Sequence, residues 1–207
     1  MSPLLSLKAM LSAAALIATA AGAAAPAAPA PVPAGAATAI FAGGCFWCIE
    51  KDFEKLPGVI EVESGYTAGK TPNPSYEQVS SGGTGHTEAV RVIYDPKKVS
   101  YPQLVDYFWR HIDPTVKDRQ FCDVGTHYRS GIYWANEAER KVAEGSREAL
   151  LKSGKFKTIH TELAPASTFW LAETYHQDYY KKNPIRYNYY RTGCGRDARV
   201  EEIWRGK

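Results

Sequence analysis

Apolar and polar positions divide the chain into an unpatterned start and a periodic body. Thr38-Ala-Ile-Phe-Ala is a short apolar run and predicts a buried strand. Ile49, Phe53 and Leu56 recur at helical spacing in IEKDFEKL, and Pro57-Gly58 stops that helix. Val59 to Tyr66 alternates, with Ile60 and Val62 opposed to Glu61 and Glu63, and fits a strand. A Gly/Pro/Ser-rich loop follows from Thr67 to Gly85, broken by a short turn around Tyr76. Glu88–Tyr94 is a β-rich run. Leu104, Val105, Phe108 and Trp109 mark a helix within Tyr101–Ile112. Ile132–Trp134 predicts a short strand, Asn136–Ser153 a charged helix closed by Gly154, and Thr158–Leu163 a further strand. Beyond Phe169 the chain reads as aromatic and irregular. Strands and helices in this alternation imply an α/β or α+β sandwich.

Before this body the pattern changes. Residues 9–25, AMLSAAALIATAAGAAA, follow a lone Lys8 and end in small residues such as Ala21-Gly22-Ala23, the order of a secretory signal peptide over residues 1–25. Residues 26–37 begin with PAAPAPVPAG, uncharged and proline-rich, and read as an extended, solvated linker. The expected catalytic unit is therefore one domain over residues 38–207, in a periplasmic or secreted protein rather than a cytoplasmic one. No stretch of strongly apolar residues long enough to span a membrane follows residue 40. Lys+Arg number 25 and Asp+Glu 22, for a net charge of +3, too little for an electrostatic nucleic-acid footprint. Four cysteines are too few for a disulfide-stapled miniprotein, yet an exported compartment lets cysteine pairs oxidise.

The chemistry is expected where the first strand meets the first helix. Gly43-Gly44 permits a tight turn, and Cys45 then opens the helix. Unpaired N–H groups and the dipole of a helix tip favour a thiolate there, so Cys45 is the candidate nucleophile. Phe46 and Trp47 beside it suggest an apolar pocket for a small substrate. Cys45-x-x-Cys48 also fits a redox pair or half a zinc site. Cys122 and Cys194 form no second C-x-x-C, which disfavours zinc, and Phe-Trp between the cysteines is unlike the small residues of a thioredoxin-like pair. Tyr76 on a proline-framed turn, Glu88 after a Gly-rich loop, and Asp123 with Tyr128 and Arg129 supply polar groups for the same site.

In order along the chain stand Gly43-Gly-Cys-Phe-Trp-Cys48, Ser64-Gly-Tyr-Thr-Ala-Gly69, Thr71-Pro-Asn-Pro-Ser-Tyr76, Ser81-Gly-Gly-Thr-Gly-His-Thr-Glu88, Tyr94-Asp-Pro96, His111-Ile-Asp-Pro-Thr115, Asp123-Val-Gly-Thr-His-Tyr-Arg-Ser130 and Tyr175-His-Gln-Asp-Tyr179. This set resembles the peptide methionine sulfoxide reductase A family from about Ile40 to Arg196. The resemblance implies a two-layer α/β (α+β) sandwich with a mixed sheet, flanking helices and a long irregular C-terminal segment. It implies reduction of methionine-S-sulfoxide, free or in proteins. In that scheme Cys45 attacks the sulfoxide sulfur, protonated Glu88 donates to its oxygen, and Tyr76 and Tyr128 hold that oxygen. Asp123 belongs to the surrounding polar network, and Phe46 and Trp47 receive the substrate methyl group. No cofactor is bound; thioredoxin or a similar dithiol acts as external reductant on a protein expected to be a monomer. The resemblance favours Cys194, in a Gly-flanked and mobile tail, as the cysteine that resolves the sulfenic acid, with Cys48 as the alternative. Cys122 reads as a small buried apolar residue, and His86 as a loop hydrogen-bonder ahead of Glu88. Two other readings stay open: an exported C-x-x-C oxidoreductase acting on protein disulfides, and a noncatalytic metal module held by cysteines.

Overall fold

In the computed structural model, which describes residues 29–205, the first apolar run becomes strand β1 (Ala37–Gly43). The leader at 1–25 and the start of the linker lie outside the described residues. The other strands are β2 (Val59–Thr67), β3 (Thr87–Tyr94), β4 (Arg119–Gln120), β5 (Asp123–Val124), β6 (Ser130–Trp134), β7 (Glu162–Pro165) and β8 (Trp170–Leu171). Six form one sheet in the order β7-β6-β1-β3-β2-β8, and β4 and β5 make a separate two-stranded ribbon. Only β6 and β7 pair in parallel, so the sheet is mixed, as expected.

β1 is apolar without alternation because both of its faces are covered. Ala39 and Phe41 enter the main core, whereas Ile40 and Ala42 join a smaller cluster with Ala89 and Tyr133 on the opposite face. The main face carries α1 (Phe46–Glu54) and, after the short α2 (Tyr76–Ser80), α3 (Tyr101–Trp109). The Phe41 ring lies 4.9 Å from Phe53 of α1 and 5.2 Å from Phe108 of α3. The longer α4 (Glu137–Lys152) starts at Asn136, whose side chain accepts from the Glu139 amide. It packs on α3 through Trp109, whose indole donates to Ser146 at 2.9 Å.

Three expectations need correction. Ile60 does not share a face with Val62: a β-bulge between Val59 and Glu61 inserts an extra residue and turns Ile60 outward, 51% exposed. Glu63 is buried instead, paired with Arg91 at 2.5 Å. The linker is not wholly solvated, because Ala30 donates to Glu63 Oε1 at 2.6 Å and accepts from Arg91 at 2.8 Å. The C-terminal segment is irregular only between β8 and Asp178. It then forms α5 (Tyr179–Lys182), α6 (Pro184–Gly193) and α7 (Arg196–Arg205). Arg196, 1% exposed, anchors this segment by donating to Gly43 O at 3.1 Å and His111 O at 2.9 Å.

The outer edge of β2 is nearly covered. β8 pairs with it only at Gly65 and Tyr66. At Ser64 the Gln177 side chain substitutes for a strand, accepting from the Ser64 amide at 2.9 Å and donating to its carbonyl at 2.8 Å.

Candidate active site

The register of the sheet gathers the site at one end. Phe41 of β1 faces Val90 of β3, and two residues further along each strand stand Gly43 and Glu88. Glu88 also faces Tyr66 of β2, and Gly43 faces Ser130 of β6. From this rim the chain turns into α1 with little room. A Cβ at Gly43 would lie 2.4 Å from Ile49 Cδ1, and one at Gly44, whose φ is +83°, would lie 2.5 Å from Gln120 Cβ. Cys45 is the N-cap residue of α1, but its side chain caps nothing. Instead Glu88 Oε2 accepts from the Phe46 amide at 2.9 Å, so an acid from β3 satisfies the first helical turn beside the sulfur.

Burial sets the protonation of this site. Glu88 is 2% exposed, and desolvation drives its carboxyl well above the ordinary carboxylate range, against the Phe46 hydrogen bond. Burial thus favours its neutral form while Oε2 accepts from the Phe46 amide. Cys45 departs from expectation. Desolvation, the hydrogen bond with Cys48, and the nearby Cys48, Glu88 and Asp123 charges push its thiol well up. Cys48 moves the other way: the hydrogen bond from Cys45 lowers it to about 7 against burial, with help from Arg196 and Arg191. Burial therefore works against a thiolate at Cys45, in opposition to the helix tip.

Both tyrosines reach the site. The fold of α2 places Tyr76: Ser75 and Gln78 form a capping box, and Glu173 Oε1 accepts from the Tyr76 amide at 2.8 Å. Tyr128 ends a single 3-10 turn (Thr126–Tyr128), fastened to β3 by Thr87, whose hydroxyl donates to His127 O at 3.1 Å. Burial above all raises both phenols and favours their protonated form. Asp123, raised by burial, accepts from Tyr190 at 2.5 Å. Arg129 does not join: it pairs with Glu162 at 2.8 Å and holds loops together.

Phe46 and Trp47 form an aromatic wall together with residues that sequence reasoning passed over. Trp47 stacks on Tyr179 at 3.7 Å and donates to His176 Nδ1 at 3.0 Å. His176 lies 4.9 Å from Phe46 and 4.6 Å from Tyr76, ring to ring, and desolvation lowers it to about 4, so it is the neutral acceptor that Trp47 needs. Tyr175-His-Gln-Asp-Tyr179 carried a signal for this role; Tyr190 gave none beyond its place in a tyrosine-rich tail. His86 bridges its loop as expected, accepting from Gly69 N at 3.2 Å and contacting Thr71 O at 2.7 Å.

The remaining cysteines differ from their reading. Cys122 is exposed, not buried, and is bonded to Cys194 in a disulfide. Cys194 is the C-cap of α6, not a free thiol on a loose tail. Cys45 and Cys48 are unbonded.

Residues 37–207 match the family model described as peptide methionine sulfoxide reductase. The chain is 52% identical over 169 residues to peptide methionine sulfoxide reductase MsrA 2 of Caulobacter vibrioides, covering 82% of this chain and 86% of that one. Among solved structures, methionine sulfoxide reductase A of Corynebacterium diphtheriae superposes with a TM-score of 0.66 at 38% identity, over 74% of this chain and 77% of that one. Mxr1 of Saccharomyces cerevisiae in its reduced form gives a TM-score of 0.67 at 35% identity, over 73% and 88%. With a cysteine at a helix tip, a neutral acid beside it and the match spanning the whole folded body, the chain belongs to the peptide methionine sulfoxide reductase family.

Proposed function

We propose that this protein reduces methionine-S-sulfoxide, free and within proteins, through the sulfur of Cys45. The observation that carries the reading is Glu88: a carboxyl kept neutral by burial, bonded to the amide that follows the nucleophile. A sulfoxide sulfur becomes electrophilic when its oxygen is protonated. A neutral acid in an apolar cleft does this at neutral pH, where an ordinary carboxylate cannot. The oxygen accepts from Glu88, and the hydroxyls of Tyr76 and Tyr128 stabilise the charge that develops on it. Phe46 and Trp47 take the methyl group, and Asp123 with Tyr190 closes the polar side. Cys45 gives up its proton along the hydrogen bond to Cys48 and attacks the sulfur. Methionine leaves reduced by two electrons, and Cys45 is oxidised by two to a sulfenic acid. A second thiol converts that acid to a disulfide and water, and thioredoxin or a similar dithiol restores the thiols.

Composition of residues 1–25 supports action in the periplasm or outside the cell. Among the described residues no helix is long and apolar enough to cross a membrane.

The test is a single turnover with S- and R-sulfoxide substrates and no added reductant. Methionine from the S epimer alone is expected. Glu88→Gln is expected to slow it by about 10²- to 10⁴-fold, the usual span for general acid catalysis. The competing C-x-x-C oxidoreductase reading predicts that Glu88→Gln has no effect and that Cys48→Ser abolishes activity on protein disulfides. That outcome, or conversion of the R epimer alone, removes the present reading.

A further inference from the structure

Glu173 stands just ahead of the Tyr175–Tyr179 motif, and its one carboxylate meets both halves of the cleft. Its segment is fastened locally: the Ala172 amide donates to Ser64 O at 3.0 Å, and the His176 amide donates to Glu173 O at 2.8 Å. Glu173 Oε1 accepts from the Tyr76 amide at 2.8 Å and so fixes the start of α2, which carries one of the two phenols. Glu173 Oε2 accepts from the Tyr66 hydroxyl at 2.9 Å. Tyr66 is fully buried, faces Glu88 across β2 and β3, and sets its ring 5.8 Å from that of Phe46. The same Oε2 lies 4.0 Å from His176 Nε2. His176 is buried and neutral, lowered by desolvation to about 4. The Trp47 indole only donates, so His176 Nδ1 is the bare nitrogen that accepts from it at 3.0 Å, and the imidazole proton sits on Nε2. That buried N–H has no hydrogen-bond partner among the described residues. The carboxylate charge beside it favours a proton on Nε2 over one on Nδ1.

We propose that Glu173 is a positioning residue that ties the two halves of the cleft together: through Oε1 it places Tyr76 for the sulfoxide oxygen, and through Oε2 it holds the His176 tautomer that orients Trp47 for the methyl group. The proposal deepens the sulfoxide reductase reading and rests on it. Glu173 reaches the substrate only through the Tyr76 amide and through His176. Substitution separates its two oxygens. In Glu173→Gln the Tyr76 amide, a donor only, takes the side-chain carbonyl. The side-chain NH2 then donates to the Tyr66 hydroxyl, which accepts as readily as it donates, and Tyr76 keeps its place. Beside His176, however, the charge is gone and an N–H group faces an N–H group. The imidazole loses its preference for a proton on Nε2, and Trp47 loses its acceptor. In Glu173→Ala both arms are lost.

Two measurements on the full chain test this. Nitrogen NMR of isotope-labelled histidine reads the tautomer of His176, whose signals are assigned by their loss in His176→Phe. The wild type is expected to be the Nε2–H form, and Glu173→Gln a mixture with the Nδ1–H form. Single turnovers with S-sulfoxide and no added reductant give the maximal rate and the half-saturating concentration. Glu173→Gln is expected to keep the maximal rate within about threefold and to raise the half-saturating concentration about 3- to 10-fold, the worth of one aromatic contact. Glu173→Ala is expected also to lower the maximal rate by about 10- to 10²-fold, the cost of a displaced phenol. In the Glu173→Ala background Tyr76→Phe should then cost less than about threefold, far below its effect in the wild type. Full additivity of those two substitutions in a folded double variant overturns the proposal. An unchanged His176 tautomer in Glu173→Gln overturns it too, and that variant decides the matter where Glu173→Ala does not fold. A wild type that releases no methionine removes the reductase reading itself, and this role of Glu173 with it.

Discussion

In the proposed reaction Glu88 does two things: it accepts from the helix tip through Oε2, and burial favours the protonated form that would donate to the sulfoxide oxygen. Because its folded pKa is raised, the acid form persists at neutral pH and is lost as the pH climbs through that raised value. Turnover should therefore fall on the alkaline side, and Glu88→Gln should remove that limb of the pH profile along with most of the rate. Tyr76→Phe and Tyr128→Phe each delete one hydroxyl from the oxygen's surroundings and are each expected to lower kcat by roughly 10- to 10³-fold with little change in KM. Stopped-flow measurement of methionine release checks both. At this scale the sequence was most informative about residue identity and least about state. Cys45, Glu88, Tyr76 and Tyr128 stood out from their loops and junctions. Helix-tip reasoning favours a thiolate at Cys45 but omits how deeply the sulfur is buried, which works against ionisation.

At the scale of elements, α1 is held as much by neighbours as by its own period. Glu50, on its buried side, accepts from the Asp178 amide at 2.9 Å, and burial pushes its carboxyl up to about 8. Between its ordinary pKa near 4.5 and that value the folded chain binds the proton more tightly than the unfolded one, so stability falls as the pH rises. Glu50→Gln should flatten this part of the pH–stability curve, by an amount on the order of a few kcal/mol across the window. Urea titrations between pH 5 and pH 8 measure it. Strand β1 and helices α1, α3 and α4 were legible because their apolar spacing is strong. The bulge at Ile60 was not, since a residue inserted on one strand is invisible without its partner β3. α5 to α7 were missed because aromatic and basic residues at that density mask a helical period, and their order depends on contacts such as Arg196 with Gly43 O. The Cys122–Cys194 bond was equally hidden, because cysteine count does not fix pairing.

For the whole molecule, both ends of the chain bear on the sheet unequally. Arg196 is fully interior and lies 3.6 Å from Asp52, which also pairs with Arg191 at 2.9 Å. Arg196→Met leaves Gly43 O and His111 O without their donor and is expected to cost about 3–5 kcal/mol, read from the urea midpoint. The N-terminal tail matters less. A chain beginning at Ala37 loses the two hydrogen bonds at Ala30, worth about 1 kcal/mol each, and should stay folded and active. An unfolded product would show that the tail is integral to the domain. The outer strands carry a last consequence. β7 is four residues long and ends at Pro165, β8 is two, and the Gln177 side chain occupies the bonding positions of Ser64. Short, capped borders of this kind give a foreign extended segment little backbone to pair with. A partly unfolded chain offered as a substrate would then find little edge on which to add a strand, and the enzyme would resist being drawn into the aggregates that such chains form.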